Sequence, residues 1–162
     1  MSDPTHTPHI NHEARALARA PFMDLIRELV WTWQRFEAVA QVHMRELGLT
    51  PAQFDVIATL GNTEGMTLGA LAERTLITKS SLTYVIDRLE AQGLLRREVP
   101  EGDRRCFLAV LTPAGVALFD RVFPAHLRYI QGFFDKLTPE ELKQCKESLS
   151  MLRGLFEAQR EG

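Results

Sequence analysis

The sequence predicts a mainly α chain with a small β-hairpin wing: a winged helix-turn-helix plus N- and C-terminal dimerisation helices. Three observations lead there. The stretch Thr67 to Gly115 reads as a short helix, a tight connection, a second helix and a two-stranded ribbon, the order of a helix-turn-helix with a wing. A Thr-Pro helix start occurs at Thr50-Pro51, Thr112-Pro113 and Thr138-Pro139, where threonine caps and proline fills the first position without losing a needed N–H. Long apolar periodicities flank the central unit, from Phe22 to Leu47 and from Val116 onward. The organisation expected is a flexible arm over residues 1–20, a helical dimerisation region over 21–48 and 113–162, and a winged DNA-binding region over 49–112.

Residues 1–20 are polar and contain Pro4 and Pro8, the composition of a mobile arm that turns helical near Ala14 to Ala18. His6, His9 and His12 recur every third residue. No Cys or carboxylate cluster accompanies them, so they read as solvated tail rather than metal ligands, and neither metal nor cofactor is expected. The next helix carries Phe22, Leu25, Ile26, Leu29, Trp33, Phe36 and Ala40 on one stripe, expected to face the domain core. Trp31, Ala38 and Val42 fall on another side. A second stripe needs a second partner, and paired aromatics at helical spacing are usually packing, so Trp31 and Val42 are assigned to a dimer interface. His43 returns near the first stripe and reads as a hydrogen-bonded side chain.

Thr50 caps a helix whose Gln53 reaches back as a capping-box partner, with Phe54, Ile57 and Leu60 inward and Gly61-Asn62 closing it. Thr67 starts the first helix of the central unit, with Leu68, Leu71 and Ala72 as its buried face. From Thr78, residues Leu82, Val85, Ile86 and Leu89 make one apolar face of a second helix that must lie on a core. Opposite it stand Ser80, Thr83, Tyr84 and Asp87. Thr78 caps the start, so Lys79, Ser80 and Ser81 occupy a first turn whose free N–H groups and dipole favour a phosphate. Arg88 adds a cation one turn after Tyr84, and Gly93 ends the helix where a left-handed residue is wanted.

LLRREV and CFLAVL have strand content, and the intervening Pro100, Glu101, Gly102 and Asp103 are turn formers, so the two runs pair as a hairpin. Arg104 and Arg105 sit at its tip, Arg96 and Arg97 near its base. A guanidinium on a thin ribbon suits a narrow minor groove. Asp103 either braces Arg105 or caps the turn. Asp87-Arg88 and Glu90 read as helix-surface ion pairs. Beyond the wing, Val116, Phe119, Val122, Phe123, Leu127, Ile130, Phe133 and Phe134 spread over more of a helix than one small domain covers, and Pro124 is expected to kink or break that helix. Thr138 to Glu141 is a full capping box. Leu142, Cys145, Leu149, Leu152 and Phe156 then alternate spacings of three and four, the seam of a coiled-coil-like contact. Phe133, Leu142, Leu149, Leu152 and Phe156 join the expected interface of a two-fold dimer, which would set two second helices about 34 Å apart.

The run LTPAQFDVIATL, the segment LITKSSLTYVIDRLEAQGLLRR, the triplet Asp103-Arg104-Arg105 and the LTPAG that opens the next helix together resemble the multiple-antibiotic-resistance regulator (MarR) family of bacterial winged-helix repressors. The flanking helices extend the likeness over nearly the whole chain except the first twenty or so residues. The resemblance implies a dimer that binds a pseudo-palindromic operator on double-stranded DNA and is often released by a small ligand. It places Ser80, Ser81 and Tyr84 in the major groove and Arg105 in the minor groove, with Asp103 holding Arg105. It also implies a crevice between the DNA unit and the dimer helices that takes aromatic acids or phenols, to whose lining Trp33, His43, Asp55 and Tyr129 are assigned. Asp55 reads equally as a structural hydrogen-bonding residue. Family members that sense peroxide carry a reactive Cys near the start of the first long helix, and none stands there. Cys106, on a strand, and Cys145, in the apolar seam, read as structural.

A net charge of −2 with 45% hydrophobic residues excludes a generally basic nucleic-acid coat, so any positive surface is local. No apolar run approaches the ~20 residues of a membrane helix, and no hydrophobic signal core stands at the N-terminus, so a cytoplasmic protein is expected. The five His, two Cys and scattered acids form no HExxH, GxSxG or P-loop pattern, and no enzyme is expected. The rival reading is a winged-helix module that binds another protein. Such a face should carry aromatic or leucine anchors, and Tyr84 is the only one.

Overall fold

Capping threonines set most of the helix starts. The computed structural model describes residues 11–75, 77–99 and 107–158. Among these the order is α1 (His12–Leu17), α2 (Pro21–Glu46), α3 (Pro51–Leu60), β1 (Met66–Thr67), α4 (Leu68–Arg74), α5 (Lys79–Ala91), β2 (Leu95–Glu98), β3 (Leu108–Leu111), α6 (Pro113–Phe134) and α7 (Pro139–Glu157). Thr50, Thr67, Thr78, Thr112 and Thr138 cap α3, α4, α5, α6 and α7, each accepting from the N–H three residues on. The capping boxes at Thr50-Gln53 and Thr138-Glu141 are both closed. The chain divides between Gln41 and Val42 into two compact units, the boundary falling inside α2.

In the first unit Asn11 caps α1 by accepting from the Glu13 N–H at 3.0 Å. Arg27 pairs with Asp24 and donates to the Ala18 carbonyl at 3.0 Å, which ties the end of α1 to α2. His6 and His9 lie outside the described residues; His12 opens α1. The stripe expected to face a core does not do so: Phe22, Leu25, Ile26, Leu29, Trp33 and Phe36 are exposed, and only Ala40 of that set is buried. Periodicity requires that an apolar face meet something, not that it meet its own chain.

The second unit has a continuous core. Phe54, Val56, Ile57 and Leu60 of α3, Leu71 of α4, Leu82, Val85, Ile86 and Leu89 of α5, Leu95 of β2, Ala109 and Leu111 of β3, and Phe119 and Val122 of α6 belong to one buried cluster. The sheet has three strands rather than the two expected, in the antiparallel order β1-β3-β2. Met66 and Thr67 pair with Ala109 and Leu108. Two residues carry no readable alternation, so the extra strand had no sequence signature. Gly93 turns the chain out of α5 at φ +70°. Gly115 is required for a different reason, close approach. A Cβ there would sit 2.0 Å from the Leu94 carbonyl oxygen, so only glycine lets α6 start so close to β2.

Pro124 lies inside α6, which runs unbroken through it. Burial of Phe119, Val122 and His126 around the proline offsets the one helical hydrogen bond it removes. α7 buries no residue, and Cys145, expected to be packed in its seam, is exposed there along with Leu149 and Phe156. Cys106 lies outside the described residues. Among those described, no helix is long and apolar enough to cross a membrane.

Candidate nucleic-acid interface

The rotation of α5 is fixed by burial. Leu82, Ile86 and Leu89 are fully enclosed and Val85 nearly so, which leaves Lys79, Ser80, Ser81, Thr83, Tyr84, Asp87 and Arg88 exposed. The sequence-predicted polar face is therefore the solvent face. Thr78 organises the first turn: its Oγ1 accepts from the Ser81 N–H at 3.4 Å and hydrogen-bonds the hydroxyls of Ser80 at 3.2 Å and Ser81 at 3.0 Å. Three hydroxyls thus stand together at the positive end of a 13-residue helix, where backbone donors favour an anion. Thr83 donates back to the Lys79 carbonyl at 3.1 Å. Tyr84, 61% exposed, accepts from Arg88 at 3.1 Å, and the guanidinium lies 5.8 Å from its ring centre. This orients a large aromatic outward on a polar face.

The acids of α5 are used differently from expectation. Asp87 and Glu90 are not paired along the helix surface with Arg88, which is occupied with Tyr84. Both grip Arg97 of β2: the two terminal guanidinium nitrogens go to Asp87 Oδ1 and Glu90 Oε2, and the Arg97 N–H donates to Glu90 Oε1 at 3.3 Å. The guanidinium also lies 4.9 Å from the centre of the Phe107 ring. The Asp87 hydrogen bond, chiefly, pushes its pKa above the ordinary arginine value. Gly93 reverses the chain and brings β2 back along the turn that carries both acids, a closure that spacing along one helix does not reveal. Arg96, also read as a wing-base cation, faces solvent and pairs with Glu98. Asp103, Arg104 and Arg105 lie outside the described residues.

Two of the residues assigned to an effector crevice come together. Tyr129 stacks on His43 with centroids 4.1 Å apart and planes 2° from parallel. His126, absent from the sequence-based assignment, completes the group: it is buried, its Nδ1 is 3.0 Å from that of His43, and its ring meets Phe54 at 4.6 Å. The signal was the i, i+3 spacing of His126 and Tyr129, which puts both on one face of α6. Asp55 is half-buried on α3. Trp33 belongs to the first unit, where its ring meets Phe36 at 6.0 Å. Phe54 adjoins Gln53, whose amide donates to Gln92, the C-cap of α5, at 3.3 Å.

The residues assigned to a dimer interface are exposed in the single chain. Trp31 is 58% and Phe156 63% exposed; Val42, Phe133, Leu142 and Leu149 are also open, and Leu152 is half-buried. Leu142, Cys145 and Leu149 of α7 line one apolar groove with Phe134 and Leu137.

Comparison with known proteins agrees with this architecture. The profile of the MarR family matches residues 47–105. The HTH-type transcriptional regulator MhqR of Bacillus subtilis is 34% identical over 107 residues, covering 66% of this chain and 74% of its own. The HTH-type transcriptional repressor MdtR of the same organism is 30% identical over 122 residues, covering 75% and 79%. Among solved structures, Bordetella bronchiseptica BpsR, whose DNA binding is regulated by 6-hydroxynicotinic acid, is similar with a TM-score of 0.69 at 30% identity. That likeness covers 80% of this chain and 98% of BpsR.

Proposed function

The chain belongs to the MarR family of helix-turn-helix transcriptional regulators, and on that premise we propose that it is a homodimeric repressor of a pseudo-palindromic operator, released by a small aromatic or phenolic effector. It acts by binding rather than catalysis, in the cytoplasm. α5 enters the major groove with Ser80, Ser81 and Tyr84 at the bases, and Thr78, Lys79, Thr83 and Arg88 at the backbone and groove edges. Arg105, with Arg104 beside it and Asp103 bracing it, enters the adjacent minor groove. Trp31, Val42, Phe133 and the Leu142, Leu149, Leu152, Phe156 face of α7 meet their counterparts across the two-fold axis. The effector crevice includes His43, Tyr129 and Asp55.

One observation carries the reading: a fully buried stripe on α5 turns a hydroxyl-rich first turn and Tyr84 outward beside the wing sheet. A protein-docking face would present several apolar anchors there. The test is a titration of duplex from the gene's own upstream region at several salt concentrations. Affinity should fall with a log–log slope of about −0.9 per phosphate neutralised. No shift of any duplex, together with salt-independent capture of a protein partner, would replace this reading with the protein-interaction module.

A further inference from the structure

Asp87 and Glu90 pose a problem of sign. Both stand on the helix read as entering DNA, and Asp87 lies on its exposed face with a side chain 56% accessible. A carboxylate facing a polyanion weakens binding unless it does something that outweighs the repulsion. What both do is hold Arg97. Three ties converge on that residue from one turn of α5: two guanidinium–carboxylate pairs and the backbone N–H to Glu90. β2 is an edge strand of the sheet, so an N–H directed away from β3 needs a partner outside the ladder, and Glu90 supplies it. The Arg97 guanidinium is also covered by the Phe107 ring, and its side chain keeps only 29% of its surface. It is committed inward and is not a free phosphate contact.

We propose that Arg97 is a positioning residue for DNA reading, a clamp that fixes the angle between the wing and the recognition helix so that both grooves are met at once. This rests on the DNA-binding reading. A forked guanidinium suits that role because its two terminal nitrogens engage two carboxylates in one plane. A wing free to pivot would have to be ordered at the moment of binding, and fixing it beforehand removes that cost. The clamp also explains why Asp87 stands on the face read as meeting DNA, with Glu90 half-buried behind it.

The experiment is an anisotropy titration of operator and of a scrambled duplex of equal length. The proteins are wild type, Asp87→Asn, Glu90→Gln, Arg97→Lys, Arg97→Met and the double variant Asp87→Asn/Arg97→Met. Simple electrostatics says that removing an acid tightens both duplexes. The clamp says that Asp87→Asn and Glu90→Gln each weaken operator binding about five- to tenfold while the scrambled duplex is bound as well or better. Arg97→Met should lose at least as much, Arg97→Lys less, and the double variant should be no weaker than Arg97→Met alone. Thermal midpoint and dimer mass are measured alongside. If Arg97→Met does not fold, the two acid variants, altered at accessible positions, still decide. Tighter operator binding by Asp87→Asn, or strictly additive losses, overturns the clamp. Wild-type protein that binds neither duplex overturns the DNA-binding reading itself.

Discussion

Nδ1 of His43 on α2 lies 3.0 Å from Nδ1 of His126 on α6, a hydrogen bond that requires a single proton between the two nitrogens. A neutral pair satisfies it with one ring as donor and the other as acceptor. Two imidazolium rings present two donors and no acceptor. Burial first, and the charge of His43 second, hold the His126 pKa below the ordinary value. Around the pair, α6 contributes Tyr129 and α3 the uncharged Phe54.

The sign follows from that depression. A group that binds its proton less readily when folded stabilises the fold above its unfolded value of about 6.5, and that contribution is lost as pH falls. Thermal midpoints of the wild type should therefore decline between about pH 7 and pH 5. His126→Gln should melt lower at neutral pH but with a shallower dependence. Parallel curves for the two proteins would show that His126 is not the titrating group.

Gly115→Ala should be among the most damaging small substitutions in the chain. The added Cβ meets the Leu94 carbonyl oxygen at 2.0 Å. That oxygen already accepts the Thr112 N–H at 3.1 Å, so β2 and the start of α6 must separate. Overpacking against backbone costs roughly 1–3 kcal/mol or more. Gly69→Ala is the opposite case, since only the Thr67 hydroxyl lies as near as 4.0 Å, and a helical alanine gains about 0.5–1 kcal/mol over glycine. Denaturant midpoints moving the same way in both variants would contradict this geometry.

Those two glycines mark where sequence legibility stops. Local chemistry was readable: five threonine caps, the buried stripe of α5 and the left-handed Gly93 follow from interactions within a few residues. What closed through space was not. Arg97 meets Asp87 and Glu90 only because the chain reverses after α5, and His126 meets His43 only because α6 returns past the end of α2. The expected core stripe on α2 failed for a related reason, since hydrophobic period reports that a face is apolar and says nothing of what it packs against. Pro124 stayed within a helix because packing on both sides outweighs one lost bond.

Arg105 is the wing residue on which sequence specificity in the minor groove should depend. It lies in sequence between β2 and β3, and the proposed function sends it into a narrow groove where guanidinium is favoured. Arg105→Ala should lower operator affinity about ten- to a hundredfold with dimer mass and melting behaviour unchanged, because the proposed two-fold contact is made by α2, α6 and α7. Wild-type affinity in this variant would remove the minor groove from the recognition scheme.

Dimerisation gives the sharpest separation between folding and function. α7 is 19 residues long and buries none of them, although Leu149, Leu155 and Phe156 are all apolar and exposed. An isolated helix of that length is marginal in water unless an apolar face is covered, and in the proposed homodimer a second copy of the same seam covers it symmetrically. Leu149→Asp places a charge on that seam without touching the core of the second unit, so the winged region should keep its fold while sedimentation shows a monomer. Operator affinity should then fall by about two orders of magnitude or more, because one reader engages one half-site and the advantage of linked binding is lost. A Leu149→Asp protein that still sediments as a dimer and binds operator normally would place the two-fold contact on another surface.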